Sequence, residues 1–348
     1  MNELLSTSNS DERMSLKDWG RVWLLGISVA VFLLSGWEIF WRIRGFEPAV
    51  QDDWSIWAKI RRQAIYKGDD AIMVVGASRI QAGLHPDIFE KSTGNRPLIL
   101  AIDGSNPIPV LEHLAEDKRI TGKVICSFIP MFLGEDSEDF GRSHQWIRQY
   151  QEQRWSSRIE TQLSLWLQQA LVFRHTGLLP DKILENIREG QWPKPPYAPM
   201  RPDRYRPMDF TKTDVDRIRR GRIEREKEFQ EKAQPLSQQR FMEKVARIDN
   251  MVKKIEDRGG RVVFIRFPST GVVRELESKS WPRQKYWDVL AANTQAKTIH
   301  FEDYPTLSQF ECPDGSHLDV RDAEAFTRAL VEILKDQGVI LTVTDLGV

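Results

Sequence analysis

The sequence predicts an α/β domain, a doubly wound and mostly parallel sheet with a long, mainly helical insertion, carried on one N-terminal transmembrane helix. Three observations predict it. Short apolar runs alternate with longer amphipathic segments; one apolar stretch of bilayer length stands near the N-terminus; and a proline-rich, charge-rich interval interrupts the alternation in mid-chain. Strands alternating with helices build parallel sheets, because each parallel pairing needs a crossover.

Taken in order, residues 1–21 read as a polar tail. Residues 22–41, VWLLGISVAVFLLSGWEIFW, form the apolar stretch. At about 1.5 Å per helical residue it covers roughly 30 Å, the thickness of a bilayer's hydrocarbon core. Trp19 and Trp23 mark one edge and Trp37, Phe40 and Trp41 the other, as aromatic belts do; Glu38 is the single interruption. No small-x-small site follows before Arg42, so a cleaved signal peptide fits less well. Residues 42–69 read as a connector in which Trp54, Trp57, Ile60 and Ile65 line an amphipathic helix. Basic residues number more after the span (Arg42, Arg44, Lys59, Arg61, Arg62) than before it (Arg13, Lys17, Arg21). That count weakly favours a cytoplasmic C-terminus, although long domains translocate regardless of loop charge.

The α/β domain is expected over 70–338. Apolar runs at 71–75, 97–102, 123–129, 261–267 and 297–301 end at Gly or Pro or in turns, as buried parallel strands do. Helical periodicity fills 107–117, 241–258, 282–293 and 320–336. The insertion spans about 135–237. Within it, 160–174 is amphipathic with Leu163, Trp166, Leu167, Ala170 and Leu171 on one face; 192–199 is an extended, proline-rich loop; 214–232 reads as a solvated, charge-laced helix. Residues 339–348 read as a C-terminal tail.

Lys and Arg total 50, as do Asp and Glu, which argues against a general nucleic-acid binder. The two cysteines, Cys126 and Cys312, are compatible with a disulfide or with buried thiols. No cysteine pair has metal-ligand spacing and the six histidines are scattered, so neither metal nor cofactor is expected.

Two segments carry chemistry. Gly76-Ala77-Ser78-Arg79 follows the first strand at a turn into a helix. A serine there is displayed at the carboxyl edge of the sheet, where open α/β folds place ligands, near backbone N–H groups able to hold an oxyanion. Alone, that serine reads as a helix N-cap. Asp314-Gly315-Ser316-His317 precedes the last helix. A nucleophilic serine needs a base, and the base an orienter; Asp-x-x-His supplies both in one turn. His85 and His113 are rival bases without that context.

Together the two segments resemble the SGNH (GDSL-like) hydrolase superfamily, over roughly 70–121 and 259–338. The resemblance implies its flavodoxin-like fold, with Ser78 as nucleophile, His317 as base and Asp314 as orienter. Gly104 matches the place of an oxyanion-donating glycine after the second strand. The family's Gly-x-Asn-Asp after the third strand is replaced by Phe128-Ile129-Pro130-Met131-Phe132; Asn106 is a substitute donor out of position. Arg79 and Arg266, the latter in Arg266-Phe267-Pro268, are candidate substrate contacts, with structural salt bridges the alternative. The chain looks most like a membrane-anchored bacterial branch. This implies a single-pass inner-membrane protein whose domain is extracytoplasmic. It implies esterase or O-acyltransferase chemistry on acylated envelope glycans. It also implies the alternative of a non-catalytic scaffold that binds glycan or a membrane acyltransferase partner.

Overall fold

A computed structural model describes residues 16–135, 137, 139–232 and 235–340. They fall into two units, one from residues 16–48 and 171–195, the other from the described residues of 49–170 and 196–340. The expected tails lie outside the described residues over 1–15 and 341–348.

The first unit is built on helix Leu16–Ile43. Its stretch Trp19–Ile43 contains an 18-residue window of mean hydropathy 1.9 and is long and apolar enough to cross a membrane; none of that window is buried in protein. Glu38 is engaged at its end: the carboxylate accepts from the backbone N–H of Val172 at 2.9 Å and of Phe173 at 3.0 Å, and from Arg42 Nε at 2.7 Å. It thereby caps the short 3-10 turn Val172–Arg174. Trp41, Phe46, Val172 and Leu178 close a small core around this joint.

The second unit holds a five-stranded, all-parallel sheet in the order β2-β1-β3-β4-β5. The strands are β1 (Ile72–Val75), β2 (Leu98–Ile99), β3 (Lys123–Ser127), β4 (Arg261–Arg266) and β5 (Lys297–His300). All five lie within the predicted runs. Side chains alternate between faces with period two. Met73, Val75, Val124, Cys126, Val262 and Phe264 join one core, with Trp57, Leu111, Phe241 and Ile248 from covering helices. Ile72, Val74, Ile125, Val263 and Ile265 join the other, with Ile80, Phe326 and Leu330. Both faces are covered, which is why the strands read as unbroken apolar runs. The connector helix Trp54–Lys67 packs into the first core, and Trp57 Nε1 donates to the Leu100 carbonyl at 2.9 Å.

Several expectations change. The 282–293 helix is a 3-10 turn, Arg283–Lys285, followed by a short helix, Trp287–Ala292. Cys126 and Cys312 are both free and buried, so the disulfide alternative is set aside. The amphipathic segment forms helix Trp155–Ala170, but it buries Thr161, Leu165 and Gln168 and turns Leu163 and Trp166 outward. The charged run forms helix Val215–Lys232 and is not simply solvated, since Glu226 on it is buried.

Candidate active site

In this strand order the chain leaves β1 for β2 on one side and returns to β3 on the other. The carboxyl ends of β1 and β3 therefore bound the switch-point crevice of an open α/β sheet. Register pairs Val75 with Cys126, which brings the turn after β1 beside Ser127. Gly76 makes that turn with φ +156°, and a Cβ there would sit 2.5 Å from Ile80 Cγ2 and 2.9 Å from Ser127 Cβ. Only glycine fits such an approach.

Ser78 is the first residue of helix Ser78–Gly83; Ala77, not Ser78, is the N-cap. Its hydroxyl is therefore not used as a cap. Ser78 Oγ lies 2.8 Å from His317 Nε2, and His317 Nδ1 lies 2.8 Å from Asp314 Oδ2. Asp314 Oδ1 accepts the backbone N–H groups of Ser316 at 2.9 Å and His317 at 2.8 Å. Gly315, at φ +84°, makes the turn that aims them inward. One carboxylate thus holds both the loop and the ring. With the carboxylate as acceptor, the proton resides on Nδ1 and Nε2 accepts from the serine O–H.

The electrostatics suit that arrangement. Burial pushes the Asp314 carboxyl up, but His317, Arg222 and the Ser316 N–H outweigh it and hold it well below the usual carboxylate range. Burial pushes the His317 ring below its ordinary value against the pull of Asp314, and Arg222 pushes the same way. The base is kept neutral and the orienter ionised.

Sequence reasoning missed Arg222. It stands on the charged helix with Nε 3.5 Å from Asp314 Oδ2. Arg225 and Glu226 of that helix, with Asp103, Gly104, Ser127 and Phe140, line the cleft over Ser78. Asp103 is held by Arg206 Nη1 at 2.6 Å. Burial, reinforced by Glu277, pushes the Glu226 carboxyl upward. The i,i+4 spacing of Arg222 and Glu226 was visible in the sequence, but a charge-rich helix offers many such pairs and no marker of the one that turns inward.

The other candidates divide. Gly104 lines the cleft beside Ser78, at φ +59°. Asn106 does not serve as a donor there: its Nδ2 hydrogens go to the carbonyls of Phe132 at 2.9 Å and Ser137 at 2.8 Å, and its Oδ1 accepts the Ile108 N–H at 2.9 Å. It pins the turn after β3 instead. Arg266 is withdrawn as a substrate contact: it is buried against Glu277 and lines a different cavity. Arg79 lines the cleft but is also tied down, with Nη2 2.5 Å from Glu277 Oε1 and Nε 3.0 Å from Ser316 Oγ. Glu277, unforeseen, is the buried anion between these two arginines. Burial raises its pKa, but Arg266 and Arg79 bring it down to about 2.

The rival bases stand apart. His113 is packed against Trp57 and Tyr150, and burial pushes it down to about 4. His85 packs against Tyr205, with ring centroids 4.8 Å apart and the planes inclined at 51°. Among the described residues no group of three or more His, Cys, Asp or Glu can hold a metal ion. No protein-family model matches the chain, and no curated protein matches it.

Proposed function

We propose that this chain is a membrane-anchored serine esterase or O-acyltransferase acting on acyl groups of cell-envelope glycans. The observation that carries the reading is the unbroken chain Ser78 Oγ, His317 Nε2, His317 Nδ1, Asp314 Oδ2, with both contacts at 2.8 Å. It is the geometry by which a neutral imidazole activates a hydroxyl.

In this reading Ser78 Oγ attacks the carbonyl carbon of an acyl ester as its proton passes to His317 Nε2. Asp314 stabilises the imidazolium that forms. The carbonyl oxygen becomes an oxyanion held by backbone N–H groups at Ser78 and Gly104. When the tetrahedral adduct collapses, the ester C–O bond breaks and His317 returns the proton to the leaving alkoxide. The acyl-Ser78 is then cleaved by water or a glycan hydroxyl, whose proton returns through His317 to Ser78. Ile129, Met131, Phe132 and Phe140 offer the cleft an apolar side for an acyl chain, while Asp103, Arg222 and Arg225 offer hydroxyl partners. The glycan substrate, the inner membrane and the extracytoplasmic side come from the family resemblance, and the bilayer partner from the span at 22–41.

The test is labelling of the full chain by a fluorophosphonate, together with release of acetate from O-acetylated glycan. Wild type should label at Ser78, and Ser78→Ala should neither label nor release acetate while keeping its Tm. Equal turnover by Ser78→Ala would remove the serine from the mechanism. A second reading is favoured by one feature, the turn Ile129-Pro130-Met131-Phe132 in place of an asparagine donor. A non-catalytic scaffold for a membrane acyltransferase would bind glycan, stay unlabelled and leave acetate in place. Protease protection on sealed vesicles assigns the side of the membrane.

A further inference from the structure

Helix Trp155–Ala170 is mounted with its apolar face outward. Thr161, Leu165 and Gln168 face the protein. On the opposite side Trp155, Ile159, Leu163 and Trp166 are 76%, 62%, 60% and 66% exposed. At 100° per residue these four fall within about 80° of arc, a continuous stripe roughly 16 Å long at about 1.5 Å per residue. Water does not favour such a stripe, and the protein had polar residues to place there; it buried Thr161 and Gln168 instead.

Three observations say what covers the stripe. First, its chemistry is that of a membrane interface: tryptophans at both ends, and beside it the basic Lys59, Arg62 and Arg158 with the 85% exposed Tyr66, all from the helix pair that makes this surface. The Arg158 guanidinium lies 4.6 Å from the Trp155 ring centroid, so the cation borders the apolar stripe. Second, Ala170 is followed directly by Leu171, where the chain enters the unit built on the apolar N-terminal helix. The next two residues, Val172 and Phe173, donate to Glu38 at the end of the predicted span. A short run of chain, Leu171 to Phe173, thus joins helix Trp155–Ala170 to the backbone that Glu38 holds. Third, the anchor unit by itself shows the same tendency. Helix Pro180–Arg188 leaves Leu184 and Ile187 exposed, and Leu179 and Trp192 beside it are exposed too.

We infer that the Trp155–Ala170 face is a lipid-binding surface. It lies in the interfacial layer of the bilayer that residues 22–41 cross, with its basic border on anionic headgroups. The middle of the insertion then serves to seat the domain on the membrane. This inference rests on the reading of 22–41 as a span, and the test separates the two.

Full-length protein in nanodiscs of phosphatidylcholine and phosphatidylglycerol would carry the dye NBD on Ile159→Cys or, separately, on Leu33→Cys; the native cysteines are buried. Quenching is read from the aqueous side with iodide and from the lipid side with doxyl-labelled acyl chains. Both probes should be quenched by doxyl lipid, and the Ile159 probe should lose its iodide quenching severalfold relative to the same protein in denaturant. Replacing phosphatidylglycerol by phosphatidylcholine should partly restore iodide access at Ile159 and leave Leu33 unchanged. Lipid quenching at Leu33 with full iodide access at Ile159 overturns the surface and keeps the anchor. Shielding from iodide without lipid quenching means a protein covers the stripe, and likewise overturns it. No lipid quenching at Leu33 removes the anchor, and the surface with it.

Discussion

Replacing Asp314 by Asn is the sharpest test of the site, because the two are nearly isosteric and differ in one acceptor. In the native turn Oδ1 takes two backbone N–H groups, at 2.9 and 2.8 Å, while Oδ2 takes the ring proton at 2.8 Å. An asparagine has one carbonyl oxygen. If it stays on the two backbone donors, its NH2 faces His317 Nδ1. The ring must then accept at Nδ1 and carry its proton on Nε2, pointing at Ser78. A protonated Nε2 cannot take the serine proton. The ring still has its place, so the loss is that of general-base action, about 10²–10⁴-fold, or roughly 3–5 kcal/mol at 1.36 kcal/mol per decade. The assay is the second-order rate of fluorophosphonate labelling of Ser78 at neutral pH. It is paired with 15N NMR of the histidine ring, which should show the proton moving from Nδ1 to Nε2. A labelling rate within about threefold of wild type, with the tautomer unchanged, would refute the assignment of Asp314 as orienter.

Three further outcomes follow from other titratable groups. Arg222→Ala removes a positive charge that holds His317 down, so the acidic limb of the labelling-rate profile should move to higher pH. An unmoved limb would mean that Arg222 does not act on the ring. Glu277→Gln leaves Arg79 and Arg266 buried without their shared anion, which should lower stability by about 3–5 kcal/mol in denaturant unfolding; a loss under about 1 kcal/mol would show the cluster is not a unit. His317, His113 and His300 all have folded pKa values held below the ordinary 6.5, chiefly by burial. The unfolded chain therefore binds more protons below that pH. The stability they contribute is complete above pH 6.5 and lost as pH falls, for His113 down to its folded value of about 4. A Tm that is flat from pH 7 to 4.5 would contradict it.

The site was legible in part, and its residues show where legibility ends. Ser78 and Asp314-Gly315-Ser316-His317 were readable because each occupies one local turn next to a periodic element. Gly76 was readable as punctuation, though the reason for it, Ser127 standing where a Cβ would need room, belongs to β3. Asn106 read as a donor because its type was right; only its contacts with Phe132, Ser137 and Ile108 show that it has no hydrogen to offer. Arg266 read equally as a ligand contact or a structural salt bridge, and Glu277, eleven residues on, makes it the salt bridge.

By itself the sequence determined the parallel strands, the apolar N-terminal helix and the two short segments of the triad. Apolar periodicity and turn residues are local properties that the covalent chain carries with it. Only the tertiary structure decided that Ser78 and His317, 239 residues apart, meet at 2.8 Å. It also decided that Arg222 turns in from a charged helix, and that Trp155, Ile159, Leu163 and Trp166 turn out. An amphipathic pattern states that a helix has two faces, and which one meets the protein depends on what surrounds it. Here the apolar face of one insertion helix points away from the core, in a chain whose N-terminal helix is long and apolar enough to cross a membrane.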